Sequence, residues 1–400
     1  MTEAPTNKAA LDDCRRGAAF AERARKLAPL IRSAAPRIEK EQRIPGDILE
    51  AMHEAQLFRM MLPASCGGAE IDPMAFLAAV EELAKADASA AWCVAQASGC
   101  STAAAYLKPE VARKIFGAAR AVMASGPNVQ QASVVDGGYR LTGTWMFASG
   151  ISNAAWLGGH CFITGSDGRT RTSPDGAPIE YTLIFPKESA TITESWDVIG
   201  LCGTASNKYD VKDLFVPESY AFTRVGNTQL REAGALYHFT LYQIFSIGFA
   251  AVALGIAHAT LEAFVELAAR KVPKAIAQTL RDNAVVQSQA ALARAKLQSS
   301  HAFLLTTLRD LWDTASVGKP FTLDQRADLR LATTCAIHQS REVVDVAYHA
   351  AGATAIFRSN PFEQRFRDVH TVSQQVQGHL SNYEPVGQVI LGLPPKSKYL

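Results

Sequence analysis

The sequence predicts an α+β chain in three consecutive parts: helical, then β, then helical. Three changes of texture predict it. Ala-rich stretches with spaced Leu, Ile and Phe fill residues 1–120. Over 121–228 they give way to short β-branched or aromatic runs punctuated by Gly, Asp, Asn and Pro. Helical texture then returns and fills 229–400. The expected units are an N-terminal helical domain, a middle β-barrel or sandwich, and a C-terminal four-helix bundle.

Taken in order, Ala9 to Ile31 and Pro73 to Ala86 carry helical spacing. Pro45-Gly46 opens a helix through Leu49, Met52 and Phe58, and Leu62 to Gly68 reads as a loop because Pro and Gly punctuate it. Val134 to Leu141 reads as a hairpin with Asp136-Gly137 as its turn. Tyr181 to Phe185 and Tyr209 to Val216 are further strands, and Gly165 to Pro178 is a polar surface loop. Phe249 to Leu267, Leu280 to Leu308, Leu323 to Ala351 and Val369 to Leu391 supply the bundle, and helices of that length suggest an oligomer interface.

Composition excludes several function classes. The 400 residues are 48% hydrophobic, enough for a large core. With 40 basic and 38 acidic residues the net charge is +2, and no block of like charge marks a nucleic-acid surface. Ile244 to Ala257 is apolar but broken by Ser246 and Gly248, so it reads as a buried helix and no membrane association is expected. The polar stretch Met1 to Gly17 has no signal core, which points to the cytoplasm. Seven scattered cysteines without a CxxC pair argue against disulfides and zinc. No His, Asp and Glu set has metal-ligand spacing, and Ser149 lacks the partners of a hydrolase triad.

Three segments carry a resemblance. They are Asp136 to Gly150 (DGGYRLTGTWMFASG), Gly200 to Ser206 followed by Val211 to Pro217, and His349 to Ala353 followed by Asn360-Pro361 and Arg365 to Asp368. In this order and spacing the chain resembles the acyl-CoA dehydrogenase superfamily over nearly its whole length. The resemblance implies that fold, a bound flavin and a homotetramer with the flavin near a subunit boundary. It assigns Trp145, Ala148, Ser149, Gly150, Thr204 and Ser206 to the flavin, and by position Arg270 and Arg367 as well. Trp145 taken alone reads as core packing; the resemblance makes it a cofactor wall.

The same resemblance exposes a missing group. Dehydrogenases of this superfamily remove an α-proton with a glutamate at one of two places, which fall here near Val376 and Phe245. Ala233 to Leu261 and Val369 to Tyr383 contain no Asp or Glu, so no small slip in alignment supplies one. The monooxygenase branch needs no such base. There, reduced flavin (FADH2 or FMNH2) from a separate NAD(P)H-dependent reductase reacts with O2, and a flavin hydroperoxide hydroxylates an electron-rich ring. Phe147-Ala148-Ser149-Gly150 and Gly203-Thr204-Ala205-Ser206 resemble that branch's Phe-Ser-Ser-Gly and Gly-Thr-Gly-Ser. Its phenol hydroxylases carry two histidines whose positions are Cys100 and Gln375 here, which favours an indole-like substrate over a phenol. The expected catalytic residues are Ser149, donating to or lying against the flavin or its peroxide, with His370 and Gln375. The expected substrate contacts are Trp92, Cys100, His238, Phe245 and His379, although His238 reads equally as a core histidine. Two alternatives remain: an FAD-dependent acyl-CoA dehydrogenase-like enzyme with a non-carboxylate base, and a non-catalytic flavin-binding protein.

Overall fold

A computed structural model describes residues 7–274 and 277–397, with side-chain surroundings from residue 16 onward. Five helices come first: α1 (Asn7–Glu41), α2 (Gly46–Glu54), α3 (Pro73–Ala84), α4 (Ala88–Ser101) and α5 (Pro109–Phe116). α1 buries Phe20, Ala24, Ile31 and Ile38, a helical stripe that packs on α3. α3 and α4 each begin on an aspartate. Asp72 accepts from the amide of Ala75 at 2.9 Å and Asp87 from that of Ala90 at 2.8 Å, satisfying donors that a helix start otherwise leaves open. Every residue of α4 is buried, because α4 lies between the helical core and the sheet.

The middle of the chain forms one hydrogen-bonded sheet. Its strands are β1 (Met123–Ser125), β2 (Gln130–Val135), β3 (Gly138–Trp145), β4 (Trp156–Thr164), β5 (Glu180–Pro186), β6 (Thr191–Thr193), β7 (Lys208–Pro217) and β8 (Ala221–Phe222). They run in the order β6-β7-β3-β2-β4-β5-β8, with β1 also paired to β4. Val135 pairs with Gly138, so Asp136-Gly137 is the two-residue hairpin turn, with Gly137 at φ +72°. Phe185 of β5 reaches Tyr209 of β7 at 6.4 Å between ring centroids, although three strands separate them in the sheet. The sheet therefore curls around its own apolar core, as a barrel does.

Five more helices follow: α6 (Leu241–Arg270), α7 (Ala284–Ser316), α8 (Leu323–Ala351), α9 (Phe362–Gln374) and α10 (Tyr383–Ile390). Thr240, Asn283 and Thr322 cap the first three through their side chains. α6 is apolar on every face and long enough to cross a membrane, but 83% of its most apolar window is buried in this chain; it is the central core helix. The fourth bundle element departs from the sequence reading. Val369 to Leu391 is not one helix: α9 stops at Gln374, Gln375 is extended (φ −80°, ψ 163°), and two short 3₁₀ turns lead into α10. The Gln375 side chain accepts from the amide of Gln377 at 2.7 Å, a local bond that replaces the helical ladder.

One ionic cluster lies within the helical core. Glu81 of α3 is 5% exposed and bonds His258 of α6 and His301 of α7, the latter at 3.1 Å. Burial pushes its carboxyl up, but the bonds from the two histidines outweigh that and hold it at about 2. The hydrogen bond to Glu81 raises His301 against desolvation. Stability from Glu81 is thus present above its ordinary value of 4.5 and is lost as pH falls toward about 2; that from His301 is present below 6.5 and is lost as pH rises through its raised value. Glu81→Gln should cost about 2–3 kcal/mol near pH 6. In urea unfolding the deficit should shrink as pH falls below 4.5, as the wild type loses its own carboxylate. A deficit constant with pH would show that the cluster contributes by packing alone.

Candidate active site

A cavity of about 420 Å3 opens where α4, α6, the sheet and the helix break after α9 converge. Its helical wall is a slab of parallel rings. Trp92 of α4 stacks on Phe249 of α6 at 3.8 Å and 6°, and Phe249 on Phe245 at 5.8 Å and 4°. Gly99 makes room for this slab, since a Cβ there would stand 2.2 Å from the Phe245 ring. Phe147 and Trp196, set edge to face at 6.0 Å, line another side. Aromatic walls of this kind suit a flat ring and exclude water.

A row of buried hydroxyls crosses the cavity wall. Trp92 Nε1 donates to Ser149 Oγ at 3.0 Å, Ser149 and Ser206 are 2.7 Å apart, Ser206 and Thr204 are 2.7 Å apart, and Thr204 donates to the carbonyl of Leu201 at 2.8 Å. The proton count fixes the direction. Thr204 spends its single proton on Leu201, so Ser206 must donate to Thr204, and Ser149 must then donate to Ser206. In this row the Ser149 proton goes to Ser206, and what Ser149 and Ser206 present to the cavity is a lone pair.

The donor comes from elsewhere. Gln375 lines the cavity, and because its Oε1 is held by the amide of Gln377, its Nε2 is a buried N–H group with no partner among the described residues. The helix break therefore places a residue with an unpaired buried donor in the cavity wall, with Gln374, Val376 and Gln377 beside it.

The loop of residues 196–206 joins the three parts of the chain. The carboxyl of Asp368 on α9, 2% exposed, accepts from the amide of Leu201 at 2.6 Å; burial pushes it up to about 8. The amide of Gly203 donates to Ser89 of α4 at 3.2 Å, and a Cβ at Gly203 would stand 2.1 Å from Ile38 of α1. Three non-glycine residues around the site hold left-handed backbone: Phe147 (φ +58°), Leu201 (φ +54°) and Ala205 (φ +44°). Such strain persists only where surrounding contacts impose it.

The remaining sequence candidates divide. Trp92, Phe245, Ser149, Thr204, Ser206 and Gln375 line the cavity. Ala148 and Gly150 lie behind it and bond the same loop through their amides, to Asn207 and Thr204. Cys100 is buried one layer back, against Gln96 and Ser125, with its thiol raised by burial. Trp145 is a correction: its ring is wholly buried in the sheet's core, stacked on Tyr209 at 5.3 Å, with Nε1 donating to the carbonyl of His160. Arg367 is taken up by Glu39 at 2.7 Å and Glu363 at 2.8 Å, which ties α1 to α9. Arg270 is exposed at the end of α6. His370 faces Asp345 of α8 at 2.8 Å, His379 is exposed and bonds Ser381, and His238 packs near Phe321; none of these lines the cavity.

Sequence reasoning missed His160 of β4, Glu180 of β5, Gln96 and Tyr242, all of which line the cavity. A histidine inside the apolar run of β4 was the available signal. Glu180 brings a carboxylate to the cavity from a third segment, outside the two that contain no Asp or Glu.

The residues fit a flavin. The row of lone pairs matches ring N–H groups, Gln375 Nε2 matches a ring carbonyl, and the aromatic slab matches the ring face. Comparison with known proteins agrees. Residues 17–118 match the acyl-CoA dehydrogenase N-terminal domain, and residues 247–378 match the C-terminal domain. The indole-3-acetate monooxygenase of Pseudomonas putida is 29% identical over 366 residues, covering 90% of this chain and 91% of that protein. The flavin-dependent monooxygenase oxygenase subunit HsaA of Rhodococcus jostii is 27% identical, covering 86% and 90%. The crystal structure of 3-HSA hydroxylase from Rhodococcus sp. RHA1 superposes with a TM-score of 0.87 at 25% identity, covering 95% and 98%. XiaF from Streptomyces, solved with FADH2 and glycerol, shares the fold with a TM-score of 0.90 at 22% identity, covering 98% and 100%.

Ala205 stands where the resembling motif has glycine, at φ +44°. Ala205→Gly should relieve the strain and stabilise the chain by about 0.5–1 kcal/mol, net of glycine's greater freedom when unfolded. Denaturant midpoints would measure it; a loss of stability would mean that the alanine methyl contributes more by packing than the backbone loses.

Proposed function

This chain belongs to the acyl-CoA dehydrogenase superfamily, and we propose that it is the oxygenase component of a two-component flavin-dependent monooxygenase acting on an aromatic or heteroaromatic small molecule. The observation that carries this reading is the cavity's composition. It joins stacked rings, a row of lone pairs and one unpaired amide donor, and neither helical segment that could hold an α-proton base brings a carboxylate into it. When bound, reduced flavin supplies the electrons that, with O2, place one oxygen atom on the substrate ring. This chain's residues hold the ring system and keep water out: Trp92, Phe245 and Phe249 cover a face, Ser149 and Ser206 accept, and Gln375 donates.

A separate reductase supplies the reduced flavin, and such a supply fits a cytoplasmic enzyme. The relatives' aromatic substrates, indole-3-acetate among them, indicate the substrate class. A homotetramer is part of the proposal. Val285 and Leu292 on α7, Ile356 and Phe357, and Ile390, Leu391 and Leu393 near the C-terminus are all exposed in the single chain and would be covered by neighbouring copies. Light scattering should return four copies; a monomer would remove this part of the proposal.

Glu180 gives a second reading its one support, as a carboxylate in the cavity. A dehydrogenase using it would bleach bound oxidised flavin with acyl thioesters in the absence of air. We expect no bleaching at catalytic rates, and hydroxylation of an indole or phenolic acid when reduced flavin and air are supplied. Bleaching would overturn the monooxygenase reading. Ser149→Ala should break the hydroxyl row and leave Trp92 Nε1 unpaired, at a cost of about 1–3 kcal/mol. Less product per reduced flavin and more hydrogen peroxide should result; unchanged coupling would separate the row from the chemistry.

A further inference from the structure

Among the described residues that line the cavity, the titratable side chains are His160, Glu180 and Tyr242. The first two act as a pair. His160 lies opposite Thr182 in the β4–β5 register, and Glu180, two residues before Thr182, reaches diagonally to it on the same sheet face. His160 Nδ1 is 3.3 Å from Glu180 Oε1 and 3.1 Å from Thr182 Oγ1. Nδ1 is hydrogen-bonded to Thr182 Oγ1, and the Glu180 carboxylate beside it favours the tautomer with the proton on Nδ1, because a lone pair there would face an acceptor; the ring lone pair is then on Nε2. No protein group bonds Nε2 among the described residues, and the side chain is 12% exposed in the cavity wall.

We propose that His160, oriented by Glu180 and Thr182, receives the polar group of the substrate: Nε2 accepts a hydrogen bond from the N–H of a heteroaromatic ring or the O–H of a phenol. The inference rests on the monooxygenase reading and deepens it by naming the group the substrate must carry. The physical reason is twofold. An acceptor at the ring's N–H or O–H fixes which ring atom faces the flavin. It also pushes electron density into the ring, making a ring carbon a better nucleophile. No other imidazole in the described cavity wall can do this, and Gln375, with its oxygen held by Gln377, presents only a donor. Glu180 is then a positioning residue that sets the His160 tautomer.

The test removes the donor from the ligand and the acceptor from the protein. The whole chain, without flavin, is titrated with indole against 1-methylindole and with phenol against methoxybenzene, followed by isothermal titration calorimetry. One hydrogen bond predicts that the wild type prefers the unmethylated member of at least one pair by about tenfold. Which pair discriminates identifies the donor as N–H or O–H. His160→Leu should bind both members of that pair alike, and His160→Gln, which keeps an acceptor, should recover part of the preference. Glu180→Gln should weaken the preference without abolishing it. A preference that survives undiminished in His160→Leu, or is absent from the wild type in both pairs, overturns the proposal. Oxygen transfer from reduced flavin and air is measured separately on the wild type. Its failure on every ring would count against the monooxygenase reading, whereas transfer without methyl discrimination would count against His160 alone.

Discussion

The buried bond from the amide of Leu201 to the Asp368 carboxyl is the constraint on which the site depends. It fastens a loop of the sheet to α9 at a point where Leu201 must adopt left-handed backbone. Once Leu201 is fixed, its carbonyl faces Thr204 and becomes the terminus of the hydroxyl row. The same loop is held against α4 through Ser89 and Gly203, while Arg367 pins α9 to α1 through Glu39. Helices from both ends of the chain and a loop from the sheet thus meet at one short segment. Burial pushes this carboxyl up, while the bond from Leu201 acts the other way by stabilising its charged form.

The polarity of the row follows from that anchor. A carbonyl at one end consumes the last hydroxyl proton, and the requirement propagates back through Ser206 and Ser149 to the indole N–H of Trp92. The wall therefore presents lone pairs, and the complementary donor has to come from a different element. The break after α9 brings one near: the local bond between Gln375 and Gln377 ends the helix and leaves the buried amide nitrogen of Gln375, a residue of the cavity wall, without a partner among the described residues. Helix termination and ligand recognition are here one event. The left-handed residues Phe147, Leu201 and Ala205 lie on the loops that hold this arrangement, where strain is offset by the contacts around it.

The long helices and the Asp136-Gly137 hairpin were legible because each is set by local pattern: period and caps in one case, turn chemistry in the other. Trp145 was misplaced because a tryptophan at the end of a strand can face either side of a sheet, and adjacency to Ser149 does not say which; the curl of the sheet puts it inside with Tyr209 and Phe185. The predicted helix from Val369 to Leu391 failed for a related reason. Its period is helical throughout, and the side-chain bond that interrupts it is visible only with Gln375 and Gln377 in place.

The sequence by itself determined the order of the three parts and the lack of Asp and Glu in two segments, since these are properties of composition, and its motifs carried the resemblance that implied the family and its flavin. Only the tertiary structure decided which polar groups share the cavity. His160 and Glu180 are 20 residues apart and carry no motif; they meet because β4 and β5 pair antiparallel and present the same face to the space between the sheet and α6. Register and curvature depend on contacts between distant residues, and no local pattern records them.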